Sequence, residues 1–172
     1  NLSWNSYACG KLETASGPCV IAEGSTLEIY VDGDACPVKA EVIRVADRHG
    51  IAVHLVGNTW LRAGDSPLIN RVVVGDHLDA ADDWIAERCG SSDIVVTGDI
   101  PLADRCLKQG AMAINHNGKP FTPDNIGTVL ATRNLMTHLR DTGEITGGGS
   151  SFTKQDRSRF LQALANAIQA AR

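Results

Sequence analysis

The sequence predicts an α/β protein: a three-layer α/β/α sandwich with a central parallel sheet and two C-terminal helices. Short apolar runs are typical of buried strands, and helical stretches separate most of them until about residue 115. A chain of 172 residues that is 43% hydrophobic and 21% charged can bury one sizeable core. We therefore expect a single domain over residues 26–172.

The first 25 residues show neither the period of a strand nor that of a helix. We expect a poorly ordered leader or an expression remnant there. No run approaches the roughly 18 apolar residues of a membrane span, and no signal peptide is visible, so we expect a cytoplasmic protein without a membrane partner. The five cysteines are scattered without a C-x-x-C pair, which argues against a disulfide framework and a structural zinc site.

The first predicted strand and helix meet at the stretch "YVDGDACP". The run "LEIYV" is rich in β-forming residues, and "VKAEVIRVADRHG" has apolar side chains at helical spacing. Pro37 is typical of a first helical turn, and Gly50 is typical of a helix end. The junction between strand and helix therefore carries two carboxylates, Asp32 and Asp34.

The alternation continues as far as Asn115. Strands are predicted in "IAVHLVG", "NRVVVG", "DIVVT" and "AMAIN", and helices in "HLDAADDWIAERCG" and "IPLADRCLKQG". After Asn115 no further strand is predicted. Two amphipathic helices follow instead, in "TPDNIGTVLATRNLMTHLRDTG" and "TKQDRSRFLQALANAIQAAR". Thr153 and Asp156 resemble a capping box at the start of the last helix.

Aspartates occur where two of the predicted strands end. Asp32 closes the first strand, and Asp99, in "DIVVTGD", closes a later one. Ligands of open parallel sheets bind at the carboxyl edge where strand order reverses, so we expect these two acids on adjacent central strands. The helix between them presents Asp79 and Asp82 three residues apart on one face, with Asp83 one position further on.

Clustered carboxylates repel one another, by about 4 kcal/mol for a pair about 4 Å apart at an effective dielectric constant of about 20. No lysine occurs between Lys39 and Lys108. Three explanations stay open: pairing with arginine, a raised pKa in at least one acid, or a bound divalent cation. Oxygen ligands without a His or Cys pattern favour Mg²⁺ or Mn²⁺ over Zn²⁺.

The segment "ITGGGSSFTKQDRSR" combines glycines with hydroxyls and the cations Lys154, Arg157 and Arg159. It is a candidate to bring the only local positive charge to an acidic site and to contact a substrate phosphate. A flexible linker before a capped helix is the alternative. Because the net charge is -4, any contact with nucleic acid must be local or mediated by metal.

Other chemistries stay open at the same residues. Phosphatases of the haloacid-dehalogenase type also place D-x-D after the first strand, but Cys36 stands where they need Thr or Val, and the lysine before their second motif is missing. Cys36 is a candidate nucleophile at a helix start, although neighbouring carboxylates disfavour its thiolate. A non-catalytic, metal-stabilised module that binds RNA or a protein is a further alternative.

Four motifs together resemble one family. "VDGDACPVK", "DAADDWI", "DIVVTGDIPLA" and "TGGG" followed by "QDRSRF" are similar to the YaiI/YqxD family of uncharacterised bacterial proteins, over most of residues 27–160. The domain of that family is similar to PIN domains. The resemblance implies a PIN-like fold in which aspartates hold Mg²⁺ or Mn²⁺ and cut RNA or another single-stranded nucleic acid.

The resemblance also implies roles for particular residues. Those expected to be catalytic and to bind metal are Asp32, then Asp79 or Asp82 as the mid-chain acid, and Asp99, with Asp104 as an additional metal ligand. The mid-chain acid departs from the wider PIN pattern, in which it is usually Glu. The residues predicted to bind substrate are Asp34, Thr97 and Arg157.

Overall fold

The structure is a computed structural model that describes residues 26–34, 36–77, 79–144 and 151–172. The strands in this part of the chain are β1 (Glu28–Asp32), β2 (Ala52–Gly57), β3 (Ile69–Val73), β4 (Ile94–Val96), β5 (Met112–Ile114) and β6 (Pro120–Phe121). The helices are α1 (Lys39–His49), α2 (Ala80–Arg88), α3 (Ile100–Lys108), α4 (Ile126–Asp141) and α5 (Lys154–Ala171). The predicted leader, residues 1–25, lies outside the described residues.

The strands form one sheet in the order β3-β2-β1-β4-β5-β6. β1 to β5 are parallel, and β6 pairs antiparallel with β5. The chain moves outward from β1 through β2 to β3, and then returns to place β4 on the other side of β1. The boundary between β1 and β4 is therefore the switch point at which open parallel sheets bind ligands.

Helices cover both faces of the sheet. One face packs against α1 and α5, through side chains such as Val42, Phe160 and Leu164. The other face packs against α2 and α3, through side chains such as Ile85 and Leu102. Burying each such side chain stabilises the fold by about 1.5–3 kcal/mol. The predicted three-layer sandwich is confirmed, and burial on both faces explains why the strands are continuous apolar runs.

Local signals at the helix ends also agree with the structure. α1 ends at Gly50, whose φ of 67° is in the left-handed region where glycine is favoured. α5 begins with the predicted capping box: Asp156 N–H donates to Thr153 Oγ1 at 3.1 Å, and Thr153 N–H donates to Asp156 Oδ2 at 2.9 Å. Among the described residues, no helix is both long and apolar enough to cross a lipid bilayer.

The prediction that strands stop at Asn115 is wrong, because β6 adds a short antiparallel strand at the sheet edge. A tight turn produces it: Asn115 N–H donates to the Lys119 carbonyl oxygen, and Gly118 N–H donates back to the Asn115 carbonyl oxygen, each at 2.9 Å. A strand of two residues that begins with proline has no alternating pattern, so the sequence gives no signal for it.

The two C-terminal helices differ more than the sequence predicts. α5 buries a stripe of side chains with a spacing of four residues, Phe160, Leu164 and Ile168. α4 buries only Ile126, and the side chains of Leu135 and Met136 are 55% and 41% exposed. α4 packs on the flank of α3 beside β6 rather than on the sheet, so most of its surface stays in solvent.

Candidate functional site

An open cleft of about 510 Å³ lies at the carboxyl edge of the sheet, over the switch point between β1 and β4. Asn58 and His77 form part of its polar wall. Two hollows elsewhere are larger, at about 620 and 710 Å³, but neither is lined by more than one carboxylate. We call this site the acid cleft after the six carboxylates that line it: Asp32, Asp34, Asp76, Asp79, Asp82 and Asp99.

Asp32 and Asp99 face the cleft from neighbouring segments, and Thr97 joins them. Asp32 is the last residue of β1, which pairs with β4. The Thr97 hydroxyl donates to Asp32 Oδ2 at 3.2 Å and accepts the Asp99 N–H at 2.9 Å. The buried Thr97 hydroxyl thus holds the Asp32 carboxylate close to the backbone of Asp99.

Asp99 does not close a strand as predicted. β4 ends at Val96, and Asp99 is the N-cap of α3, where its Oδ1 accepts the Leu102 N–H at 3.1 Å. An aspartate at this position satisfies an otherwise unpaired helix N–H group, which explains why the helix begins here. The second carboxylate oxygen, Oδ2, takes no part in the cap.

Thr97 is predicted to bind substrate, but its side chain is fully buried and its hydroxyl is shared between Asp32 and Asp99. This geometry supports a positioning role. A buried hydroxyl that both donates and accepts holds its neighbours in place, and no surface of it is left for a substrate to contact.

Asp79 and Asp82 enter the cleft at the start of α2. Asp79 is outside the helix, at its N-cap position, and its φ of 64° is the only left-handed value among the described non-glycine residues. Its side chain makes no capping hydrogen bond. Such a conformation costs roughly 1–2 kcal/mol and is concentrated at functional sites. Asp82 follows in the first turn of α2.

Burial and the crowding of charge within the cleft both raise carboxyl pKa values. Burial raises the pKa of Asp82 to about 6, and the charges of Asp99, Asp32 and Asp79 add to this effect. Burial also raises the pKa of Asp32, although the hydrogen bond from Thr97 partly offsets it. These shifts agree with the prediction that clustered acids disfavour one another's ionisation.

Two arginines that the sequence analysis did not assign to the site partly offset this charge. Arg133 of α4 places Nη2 3.9 Å from Asp99 Oδ2. Arg105 lowers the pKa of Asp82, and it pairs with Asp83 at 2.8 Å. Asp83 does not line the cleft, so the mid-chain acids in the cleft are Asp79 and Asp82. The expectation that the segment 145–159 brings the only local positive charge is therefore wrong. Residues 145–150 of that segment lie outside the described residues.

Asp104 and Arg157 are not brought to the cleft. Asp104 pairs with Lys108 at 2.6 Å on the exposed side of α3. Arg157 places Nε 2.9 Å from Oε1 of Glu41, a carboxylate that is only 7% exposed, and its guanidinium lies over the Phe152 ring. These contacts connect α5 to α1 and support a structural role for Arg157.

Asp34 lines the cleft at the turn after β1, where the backbone N–H of Asn58 donates to its Oδ1 at 3.2 Å. Gly57 allows this approach, because a Cβ there would lie 2.6 Å from the same oxygen. Asn58 is not among the residues predicted from the sequence. Its position directly after a predicted strand was the available signal, since the ends of parallel strands share one edge.

Two further groups near the cleft are neutral at neutral pH. Burial raises the pKa of the Cys36 thiol to about 11, and nearby carboxylates contribute, which argues against a cysteine nucleophile. His116 packs against Gly98, next to Asp99, and burial lowers the pKa of its imidazole. Its Nε2 is buried without a hydrogen-bond partner among the described residues.

Comparison with known proteins assigns the chain to a family. The profile described as "Uncharacterized BCR, YaiI/YqxD family" matches residues 30–170. The chain belongs to the YaiI/YqxD family. It is 58% identical over 145 residues to a "UPF0178 protein" of Parvibaculum lavamentivorans, covering 84% of this chain and 95% of that protein. It is 62% identical over 141 residues to one of Rhodopseudomonas palustris, covering 82% and 89%. No solved structure matches.

The donor groups of the acid cleft fit a hard divalent cation, because six carboxylates outnumber the one amide, Asn58, and the one imidazole, His77, and no thiolate lines the cleft. As the side chains stand, however, no three His, Cys, Asp or Glu side chains in the described ranges converge closely enough to hold an ion. The carboxylates share a cleft without forming a preformed coordination shell. Metal binding therefore requires side-chain rotation, which an open cleft permits.

Proposed function

We propose that this protein is a PIN-like, divalent-metal-dependent phosphodiesterase that cleaves RNA or another single-stranded nucleic acid. One observation carries the proposal: Asp32, Asp79, Asp82 and Asp99 line a single open cleft at the switch point of a parallel sheet. The raised pKa of Asp82 and of Asp32 supports it, since such shifts are concentrated at functional sites.

In this proposal Asp32 and Asp99 would hold Mg²⁺ or Mn²⁺, with help from Asp79 or Asp82. When bound, such an ion supplies electrophilic activation of a phosphodiester and neutralises its negative charge. Thr97 would keep the Asp32 carboxylate in one orientation. Arg133, close to Asp99, would place a cation where a phosphate enters an otherwise negative site.

Thiol chemistry receives no support from the cleft. The Cys36 side chain is 5% exposed, and its pKa of about 11 keeps it protonated near neutral pH. Cys36 packs in the core with Val38 and Leu61. We therefore propose that Cys36 fills space beneath the turn that carries Asp34, and that the carboxylates carry the chemistry.

Cleavage of a labelled single-stranded RNA in Mn²⁺, compared with EDTA, tests this function. Asp32→Asn retains the shape of the side chain but removes one ligand charge, so we expect at least a ~100-fold loss of rate. Asp104→Asn is the matched control: the same change, on a residue paired with Lys108 outside the cleft, should leave the rate within about twofold.

Cleavage that persists in EDTA, or that survives Asp32→Asn and disappears in Cys36→Ser, would contradict the proposal. Stabilisation by Mn²⁺ without cleavage of any RNA or phosphate ester would instead favour a non-catalytic, metal-stabilised binding module.

A further inference from the structure

A second groove, of about 370 Å³, adjoins the acid cleft between α3 and α4. Ile100, the residue after Asp99, forms one wall. The other wall is one face of α4, with Arg133, Met136 and Arg140 in a row. We call this site the α4 groove. It begins where the acid cleft ends, because Asp99 lines the cleft and Ile100 lines the groove.

The charge of the α4 groove is opposite to that of the cleft. Arg133 and Arg140 are seven residues apart on one helix face, or about 10.5 Å along the axis. Arg133 contacts Asp99 only loosely, at 3.9 Å, and its side chain is 47% exposed. Arg140 is exposed and pairs with no carboxylate in the described part of the chain. Asp99 contacts Arg133 at one end of the row, and Asp141 follows Arg140 in the sequence at the other.

The two arginines are the main hydrogen-bond donors that α4 offers in the groove. The Thr132 hydroxyl donates to the Thr128 carbonyl oxygen at 2.8 Å and is therefore occupied within the helix. Met136, 41% exposed between the two arginines, supplies an apolar surface. An arginine guanidinium suits phosphate because its N–H groups form a planar fork, and an apolar strip suits a sugar or a base.

We propose that the α4 groove binds the phosphates of a single RNA strand that flank the scissile phosphate in the acid cleft. This inference rests on the proposed function and extends it to substrate binding. A polyanion approaching a protein of net charge -4 needs a local cationic surface beside the acids. At about 3.4 Å of rise per phosphate in a stacked strand, the two arginines span about three nucleotides.

The exposure of α4 is consistent with this role. A helix that buries only Ile126 gains little stability from packing, yet it continues for 16 residues. Arg133 lies beside the acid cleft, 3.9 Å from Asp99, and Arg140 follows two turns further along the helix. Arg48, in contrast, is exposed in the last turn of α1, which runs back to the opposite edge. Arg48 therefore provides a control of equal charge.

Fluorescence anisotropy of a labelled oligouridylate of about 12 nucleotides tests the groove, with Ca²⁺ in place of Mn²⁺ and salt varied over about 50–200 mM. We expect Arg133→Ala and Arg140→Ala each to weaken binding by about 3–10-fold. Each should also reduce the slope of log Kd against log salt by about 0.7. Lysine at either position should keep the slope, and Arg48→Ala should change neither quantity.

Unchanged affinity and salt slope in the double Arg133→Ala, Arg140→Ala variant would contradict RNA binding in the α4 groove. An equal loss of affinity in Arg48→Ala, or no binding of RNA by the parent protein, would contradict it too. RNA binding that depends on both arginines without any cleavage would support the groove and contradict the proposed nuclease. Cleavage that is independent of both arginines would support the proposed nuclease and contradict RNA binding in the α4 groove. Binding of a protein partner at α4 in place of RNA would also overturn the inference.

Discussion

At the scale of single residues, the hydroxyl of Thr97 is the connection on which the acid cleft depends. It is fully buried, and it touches the side chain of Asp32 and the backbone of Asp99. Its hydrogen bond lowers the pKa of Asp32, against the larger effect of burial. Removing this hydroxyl should therefore change the chemistry of the cleft without changing its outline.

We predict that Thr97→Val raises the pKa of Asp32 and lowers cleavage by at least ~10-fold. It also leaves the half-buried Asp99 N–H without its partner, at a cost of about 1 kcal/mol of stability. NMR titration of the Asp32 carboxyl and urea unfolding measure the two effects. Thr97→Ser is the control, since it keeps the hydroxyl. An Asp32 pKa that does not move in Thr97→Val would show that the contact has no electrostatic role.

The pH dependence of stability tests whether burial and neighbouring charges disfavour the ionised form of Asp82. Its folded pKa of about 6 is above its ordinary value of 3.8, so the folded state takes up a proton between these values and loses stability as pH rises through that range. We predict that Asp82→Asn is more stable than the parent above pH ~6, by about 1 kcal/mol once screening at a half-exposed site is included.

This gain corresponds to about 2–4 °C in Tm for a chain of this size. It should disappear below about pH 4, where Asp82 is protonated in both the folded and unfolded states. Thermal unfolding at a series of pH values measures it. A stability difference that is constant with pH would mean that the effect is one of packing, and that neither burial nor the neighbouring charges disfavour the ionised form of Asp82.

At the scale of elements, the junction of α1 and α5 depends on a charge pair. Glu41 of α1 is 7% exposed, and one of its oxygens, Oε2, has no hydrogen-bond partner in the described chain. Arg157 of α5 contacts the other oxygen at 2.9 Å. Removing the cation that pairs with a buried carboxylate strongly destabilises a protein. We therefore expect the pair of Glu41 and Arg157 to stabilise the fold.

We predict that Arg157→Ala lowers the free energy of unfolding by about 1–2 kcal/mol, less than a fully buried pair because the arginine is half-exposed. Adding Glu41→Gln should recover most of the loss. Urea denaturation of the single and double variants measures this, and RNA affinity should stay within about twofold. Weaker RNA binding at unchanged stability would instead return Arg157 to the substrate-binding role that the sequence predicts.

The elements that sequence could predict are those with a local cause. Both faces of β1 and β4 are covered, so these strands are continuous apolar runs, and the α5 stripe and its capping box lie within one helix. β6 could not be predicted, because its pairing depends on a turn. The packing of α4 could not be predicted either, because it depends on where α3 and β6 leave surface uncovered.

At the scale of the whole molecule, the strand order creates the site. Asp32 and Asp99 could be predicted together because a general rule connects the ends of parallel strands to one edge. Arg133 could not, since α4 approaches the acids only in the folded chain. Asn58 directly follows a predicted strand, so the same rule could have found it. Asp104 and Arg157 had the expected residue type, but their helices place them in other ion pairs.

The distribution of charge across the molecule connects the two proposals. The acid cleft carries the carboxylates, and the α4 groove beside it carries the arginines. A substrate that is a polyanion with one reacting phosphate matches both, whereas a small phosphate ester would use the cleft alone. Variants of Arg133 and Arg140 should therefore affect long RNA more than a small ester.

The proposed binding of a divalent cation in the acid cleft can be observed in a crystal soaked in Mn²⁺, through the anomalous difference map. We predict a peak in the cleft, with carboxylate oxygens of Asp32 and Asp99 at about 2.0–2.2 Å and one of Asp79 or Asp82 in contact. No peak in the cleft at saturating Mn²⁺, or a peak only at a site that touches neither Asp32 nor Asp99, would contradict it.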